Sequence, residues 1–163
     1  MEIRIGKNKV GDNYPVFIVA EMSANHGHDL NKATELVYAA KEAGANAIKL
    51  QTYTADTLTL NHKSKDFFIN KGPWKGRYMH DLYKDAYTPW EWHAQLLELA
   101  NNIGITLFSS PFDPTAVDFL EEINIPAYKI ASPEVIDIPL IRKVAQTGKP
   151  IIISTGSATV SQI

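Results

Sequence analysis

The sequence contains no cysteine, which excludes disulfides and thiolate metal sites. It has no basic excess: the formal net charge is −2, against the positive balance usual in nucleic-acid binders. No apolar run approaches the roughly 18 residues needed to span a bilayer. Met1-Glu2-Ile3-Arg4 alternates apolar and charged residues, so no signal peptide is expected there and the default compartment is the cytoplasm. The five histidines include no pair at metal-ligand spacing. The turn after the first apolar run holds only Gly27, so the glycine-rich dinucleotide fingerprint is missing and a Rossmann fold is disfavoured.

What is present is a set of short apolar runs that end in polar residues. Val16 to Ala20 runs into Glu21. Ala47 to Leu50 carries Lys49 and ends at Gln51. Thr106 to Phe108 runs into Ser109 and Ser110. Ala127 to Ala131 carries Lys129 and ends at Ser132. Pro150 to Ile153 ends at Ser154, Thr155 and Gly156. Such runs read as parallel strands covered by helices on both faces.

Helix signals lie between them. Asp29 caps a helix with Leu30, Ala33, Val37 and Ala40 on one face, stopping at Gly44. Thr88-Pro89-Trp90-Glu91 has the capping-box pattern with proline at the first helical position. Asp113-Pro114 opens a helix with Val117, Leu120 and Ile123 inward, and Asp137 opens another that ends at Gly148. This alternation means a parallel sheet with right-handed crossovers.

Ser110, Ser132 and Ser154 each end a run and are 22 residues apart. Even βα spacing and a shared serine register favour a barrel over an open sheet. Residues 1–10 read as a β-hairpin with its turn at Gly6 to Lys9, placed to plug the N-terminal mouth. Residues 52–87 are long for a connection and rich in aromatics, which indicates an ordered insertion beside the active-site mouth, helical near 77–87. The fold class is therefore α/β: about five βα units of a (β/α)8 TIM barrel, preceded by a hairpin. A complete barrel takes about 250 residues. Residues 1–163 are read as its N-terminal portion, ending within what should be the next helix.

Active sites of such barrels form at the C-terminal ends of the strands. The polar residues there are Glu21, Asn25, His26, Lys49, Gln51, Ser109, Ser110, Lys129, Ser132, Glu134, Ser154 and Thr155. Two lysines and several hydroxyls at one mouth describe an anion site. A lysine inside an apolar strand is rarely structural, because burying an unpaired ammonium costs several kcal/mol, in order of magnitude. The serines have a plainer alternative, since hydroxyls also cap helices. Glu21 is an ion-pair candidate for either lysine, Glu134 could merely cap the next helix, and His26 could simply tie down its loop. His62, His80 and His93 read as structural or exposed.

The sequence resembles the sialic-acid synthase (NeuB-like) family. The stretches that carry the likeness are Ile18-Val19-Ala20-Glu21 with Asn25-His26, Ile48-Lys49-Leu50-Gln51-Thr52, Phe108-Ser109-Ser110-Pro111-Phe112-Asp113, Tyr128-Lys129-Ile130-Ala131-Ser132 and Gly148-Lys149-Pro150 through Ser154-Thr155-Gly156. Within it, Glu21-Met22-Ser23-Ala24-Asn25-His26, Gln51-Thr52-Tyr53-Thr54, Lys71-Gly72-Pro73-Trp74-Lys75-Gly76-Arg77 and Thr88-Pro89-Trp90-Glu91-Trp92-His93 look most like the pseudaminic acid synthase branch.

The resemblance implies a transferase that condenses phosphoenolpyruvate with an amino-sugar aldehyde, releasing phosphate. For that branch the sugar is 2,4-diacetamido-2,4,6-trideoxy-altrose. It implies a divalent metal, Mn2+ or Mg2+, a homodimer, and a C-terminal antifreeze-like (SAF) domain. No nucleic-acid or membrane partner is expected. It also assigns roles: Lys49, Ser110, Lys129, Ser132 and Ser154 to phosphoenolpyruvate; Glu21, Asn25, Gln51 and Phe112 to the sugar; Glu21 and Glu134 to catalysis. Metal ligands and the remaining strands would lie outside these residues. The 163-residue chain by itself is thus expected to be inactive, and its open sheet edges to make it unstable as a monomer. Three other readings stay open: an N-acetylneuraminate synthase using N-acetylmannosamine, an aldolase with Lys49 or Lys129 as Schiff-base nucleophile, and a non-catalytic sugar-phosphate binding module.

Overall fold

The computed structural model describes residues 2–163. Strands β1 (Glu2–Ile5) and β2 (Asn8–Gly11) form an antiparallel hairpin. The main body alternates β3 (Val19–Glu21), α1 (Leu30–Glu42), β4 (Ala47–Thr52), α2 (Ala55–Leu58), α3 (Met79–Ala86) and α4 (Glu91–Ile103). It continues with β5 (Thr106–Pro111), α5 (Pro114–Glu122), β6 (Tyr128–Ile130), α6 (Ile138–Gln146) and β7 (Ile151–Ile153). The last five strands pair in parallel in chain order, β3-β4-β5-β6-β7, as the expected βα units require. The sheet curls into half a barrel, with β3 and β7 at its open edges.

Burial explains the near-continuous apolar runs. Every residue of β5 is buried, and Ala47, Ile48 and Leu50 of β4 are too. Leu50, Leu107, Tyr128 and Ile130 join the core with Val37, Leu96, Leu120 and Leu140 from the helices. Asp29, Asp113 and Asp137 cap α1, α5 and α6 through backbone N–H groups, as the sequence indicates.

Three local expectations change. The first strand starts at Val19, not Val16: Val16 and Ile18 lie exposed along the sheet's edge, and the Ile18 N–H donates to Asn46 Oδ1 at 2.7 Å. The Thr88 capping box does not form. The Thr88 hydroxyl is taken by His26 Nε2 at 3.1 Å, so α4 begins at Glu91 without a side-chain cap. Residues Val160–Gln162 form a 3-10 turn where a helix was expected.

The hairpin closes the N-terminal end of the strands. Ile5 is buried in the core, and Asn8 Nδ2 donates to Thr106 Oγ1 at 2.9 Å at the start of β5. Gly6 is required there twice over. Its φ is +57°, and a Cβ would stand 2.8 Å from Thr106 Oγ1. The insertion is ordered: His80 Nε2 meets Asp56 Oδ1 at 2.8 Å, which joins α3 to α2, and Arg77 pairs with Asp85.

A buried polar chain locks the sheet to its helices. His93 is fully buried, its Nδ1–H donating to Pro89 O at 3.2 Å. Its Nε2 then accepts from Thr52 Oγ1 at 2.9 Å, and Thr52 accepts from Ser109 Oγ at 2.6 Å. Burial pushes the His93 pKa down to about 4, with smaller backbone effects opposing.

Two outcomes follow. Asp113→Ala should cost about 1 kcal/mol of stability, the usual worth of an N-cap, measured by denaturant unfolding. Below pH 6.5 the unfolded chain protonates His93 while the folded chain does not until about pH 4. Stability should therefore fall between those values as acid is added, by up to about 1.4 kcal/mol per pH unit. His93→Gln should flatten that dependence; an unchanged profile in the variant would show that other groups cause it.

Candidate active site

The strand register determines which side chains share the barrel lumen. Glu21 pairs with Lys49, Lys49 with Phe108, and Gln51 with Ser110. Ser109 pairs with Tyr128, and Lys129 with Ile152. Residues alternate faces along a strand, so Glu21, Lys49, Gln51, Ser110 and Lys129 all face inward. Val19, Glu21, Lys49, Phe108, Lys129 and Ile152 line a cavity of about 180 Å³ there.

Charge is unevenly matched in this lumen. Lys49 forms an ion pair with Glu21, whose other carboxylate oxygen accepts from the Ser23 N–H at 3.1 Å. Lys129 donates to the backbone carbonyl of Ile130 at 2.7 Å. Burial lowers the Lys129 pKa, and the nearby Lys49 ammonium lowers it further, against weaker opposing effects of Glu21 and Glu134. Glu134 sits in the 3-10 turn Pro133–Ile136 after β6. Burial raises its pKa, opposed by a backbone hydrogen bond; Asp137 raises it further and Lys129 lowers it. Ser110 Oγ and Glu134 Oε2 are buried with no hydrogen-bond partner among the described residues. Asp113 Oδ2, on the α5 cap, is a third such atom, and orphaned atoms of this kind are few in folded proteins.

Several candidates stand elsewhere. Ser109 faces the helices and belongs to the His93 chain. His26 is fully buried; its Nδ1 accepts from the His28 N–H at 3.1 Å, so Nε2 carries the proton donated to Thr88. Burial depresses its pKa, with smaller contributions from His28 and Lys32, and its place is structural. Asn25 is exposed in the turn after β3, its amide donating to Met22 O at 3.0 Å. Glu134 caps nothing: Asp137 Oδ1 takes the Leu140 N–H at 3.0 Å. Phe112 packs edge-on against Tyr53, with ring centroids 5.4 Å apart.

The serine spacing does not mean a shared register. Ser110 lies within β5, whereas Ser132 lies beyond the end of β6 in the following turn. There its Oγ accepts from the Ser157 N–H at 2.7 Å, which binds the turn after β7 to the turn after β6. Ser154 follows β7, its N–H donating to Ile130 O at 3.1 Å. The three come from adjacent strands at different heights. Tyr53, Trp74 and Tyr83 gather beside Gln51 through the fold of the insertion, which has no periodic signal in the sequence.

Known proteins share this fold and much of this sequence. The NeuB family model matches residues 36–163. The chain is 50% identical over 149 residues to the pseudaminic acid synthase of Helicobacter pylori, covering 91% of this chain and 44% of that protein. It is 51% identical over 148 residues to the pseudaminic acid synthase of Campylobacter jejuni serotype O:2, covering 91% and 43%. The chain thus spans less than half the length of these relatives. The crystal structure of the N-acetylneuraminic acid synthetase of Leptospira borgpetersenii, solved with citrate, superposes with a TM-score of 0.85. It is 34% identical, and the match covers 100% of this chain and 52% of that one. The lumen register, the hairpin-closed half-barrel and these matches agree: the chain belongs to the NeuB family.

Proposed function

We propose that this chain supplies the phosphoenolpyruvate-binding half of a pseudaminic acid synthase barrel. The reaction joins phosphoenolpyruvate to 2,4-diacetamido-2,4,6-trideoxy-altrose and yields a nine-carbon 2-keto sugar acid and phosphate. The observation that carries this reading is the pair of inward lysines on β4 and β6 lining one cavity, where Lys49 is paired with Glu21 and Lys129 has no carboxylate ion pair among the described residues. A ligand with two anionic ends relieves the repulsion between the two lysines. The half-identical pseudaminic acid synthases favour the sugar.

In this scheme Lys49 holds the carboxylate and Lys129 the phosphate, with Ser110, Ser132 and Ser154 donating hydrogen bonds to it. Holding both ends aims the methylene carbon at the aldehyde. That carbon forms the new C–C bond, the aldehyde oxygen takes a proton, and positive charge develops at the carbon bearing phosphate. Water adds there and loses a proton; the resulting hydroxyl then gives its proton to the leaving phosphate, which departs with its bridging oxygen as the 2-keto group forms. Glu134, its pKa raised by burial, is the proton-transfer group. Glu21, Gln51 and Asn25 contact sugar hydroxyls and amides, and Phe112 packs beside them.

No group of three or more metal-ligating side chains occurs among the described residues. These residues do not form the metal site the family implies, and no step here runs through one. Its ligands, together with the remaining strands, the antifreeze-like domain and the dimer contact, belong in this scheme to the rest of the protein. No helix among the described residues is long and apolar enough to cross a membrane. The scheme places the enzyme in the cytoplasm.

The test uses the protein expressed from its complete open reading frame, supplied with manganese. Phosphate release from phosphoenolpyruvate should require the trideoxy-diacetamido-altrose. Release with N-acetylmannosamine alone would move the assignment to the neuraminate synthases, and release with neither would sink it. Glu134→Gln should lower kcat about 100-fold, as loss of a proton-transfer group does, with the KM for phosphoenolpyruvate little changed. An undiminished kcat would remove Glu134 from the chemistry.

A further inference from the structure

The insertion between β4 and α4 builds a second cavity, of about 290 Å³, whose lining includes Gln51. Its walls are apolar and aromatic: Tyr53, Ile69, Trp74, Met79, Leu82 and Tyr83. Ser23 and Gln51 supply its polar edge. The walls are fixed from behind. Tyr53 packs edge-on against both Tyr83 and Phe112, and its carbonyl accepts from Trp90 Nε1 at 3.1 Å. The loop carrying Trp74 is held where Ile69 N–H donates to Arg77 O at 2.9 Å and Gly76 N–H to Ile69 O at 2.8 Å. Trp74 itself stays 57% exposed at the rim, unusual for a large ring that no partner requires there.

Gln51, which lines this cavity, lies on the same strand face as Lys49. It pairs with Ser110 on the neighbouring strand and lies two residues beyond Lys49. A molecule lying against the lysine pair and growing toward the mouth passes Gln51 and meets the aromatic walls. An apolar group with an amide next to it fits both requirements: the methyl enters the walls, and the amide bonds to the Gln51 carboxamide. A bare hydroxyl would leave the walls unfilled.

We propose that this cavity is the acyl-recognition pocket of the sugar site, taking the methyl of an N-acetyl group with Gln51 bonding its amide. The inference rests on the sugar-aldehyde reading above, and it makes the insertion the element that selects acylated over free sugars.

The experiment compares the acetamido sugar with its hydroxyl analogue, using the complete protein and its Trp74→Ala and Tyr83→Leu variants. Phosphate release gives kcat/KM for each sugar, and saturation-transfer NMR reads protein contact with the acetyl methyl. The wild type should prefer the acetamido sugar about tenfold or more, the usual yield of one methyl in an apolar pocket. Both variants should lose most of that preference, mainly through KM, together with the methyl saturation. Preference and saturation that survive in both variants would overturn the pocket, as would absent methyl saturation in the wild type. No phosphate release, with methyl saturation present in the wild type and lost in the variants, would sink the synthase reading and leave the pocket standing.

Discussion

Two ammonium groups on one face of a parallel sheet are the constraint around which this half-barrel is organised. Strands of such sheets are buried on both faces, and a lysine there must find an anion or lose its charge. Lys49 has Glu21. Lys129 has only a carbonyl oxygen, and burial, with the repelling Lys49 second, lowers its pKa. A fold that only needed to be stable would fill these positions with apolar residues, as it does at Val19, Phe108 and Ile152 around the same cavity.

The rest of the molecule holds these two lysines in place. The hairpin closes the bottom of the strands through Ile5 and Asn8. The Ser109–Thr52–His93 chain ties β4 and β5 to α4 on the outer face. Alternation turns that fastening into position on the inner face: with Thr52 and Ser109 held outward, Gln51 and Ser110 point into the lumen. The Ser132–Ser157 bond does the same for the turns beyond β6 and β7. Residues that touch no ligand thus set the height and direction of those that would.

Most of this layout was legible in the sequence because it rests on local rules. Apolar runs gave the parallel strands, and aspartates before Leu30, Pro114 and Ile138 gave the helix starts. Lysines in apolar strands pointed to two cations in one lumen, and Lys49 and Lys129 line the same cavity. What was hidden depended on partners distant in the chain. Thr88 looks like a helix cap and is instead bonded to His26, 62 residues away. The equal serine spacing suggested one register, but β6 ends at Ile130 and leaves Ser132 in a turn. Ser109 and Ser110 are indistinguishable by composition, and only the pairing of β4 with β5 sends one outward and one inward. The length and aromatics of residues 52–87 indicated an ordered insertion, but not its cavity, whose walls come from a strand end, a loop and a helix.

The most direct test of the proposed anion site is phosphoenolpyruvate binding across pH, followed by phosphorus NMR on the complete protein and its Lys129→Met variant. Lysine is charged below its pKa, and that of Lys129 lies below the usual lysine value. Affinity should therefore weaken as pH rises through that lowered value, earlier than an ordinary lysine would allow. The variant should bind about thirtyfold more weakly, the worth of one charge-assisted hydrogen bond of about 2 kcal/mol. Equal binding by Lys129→Met, with the same pH profile as the wild type, would contradict the claim that the lysine pair is what the lumen is built to hold.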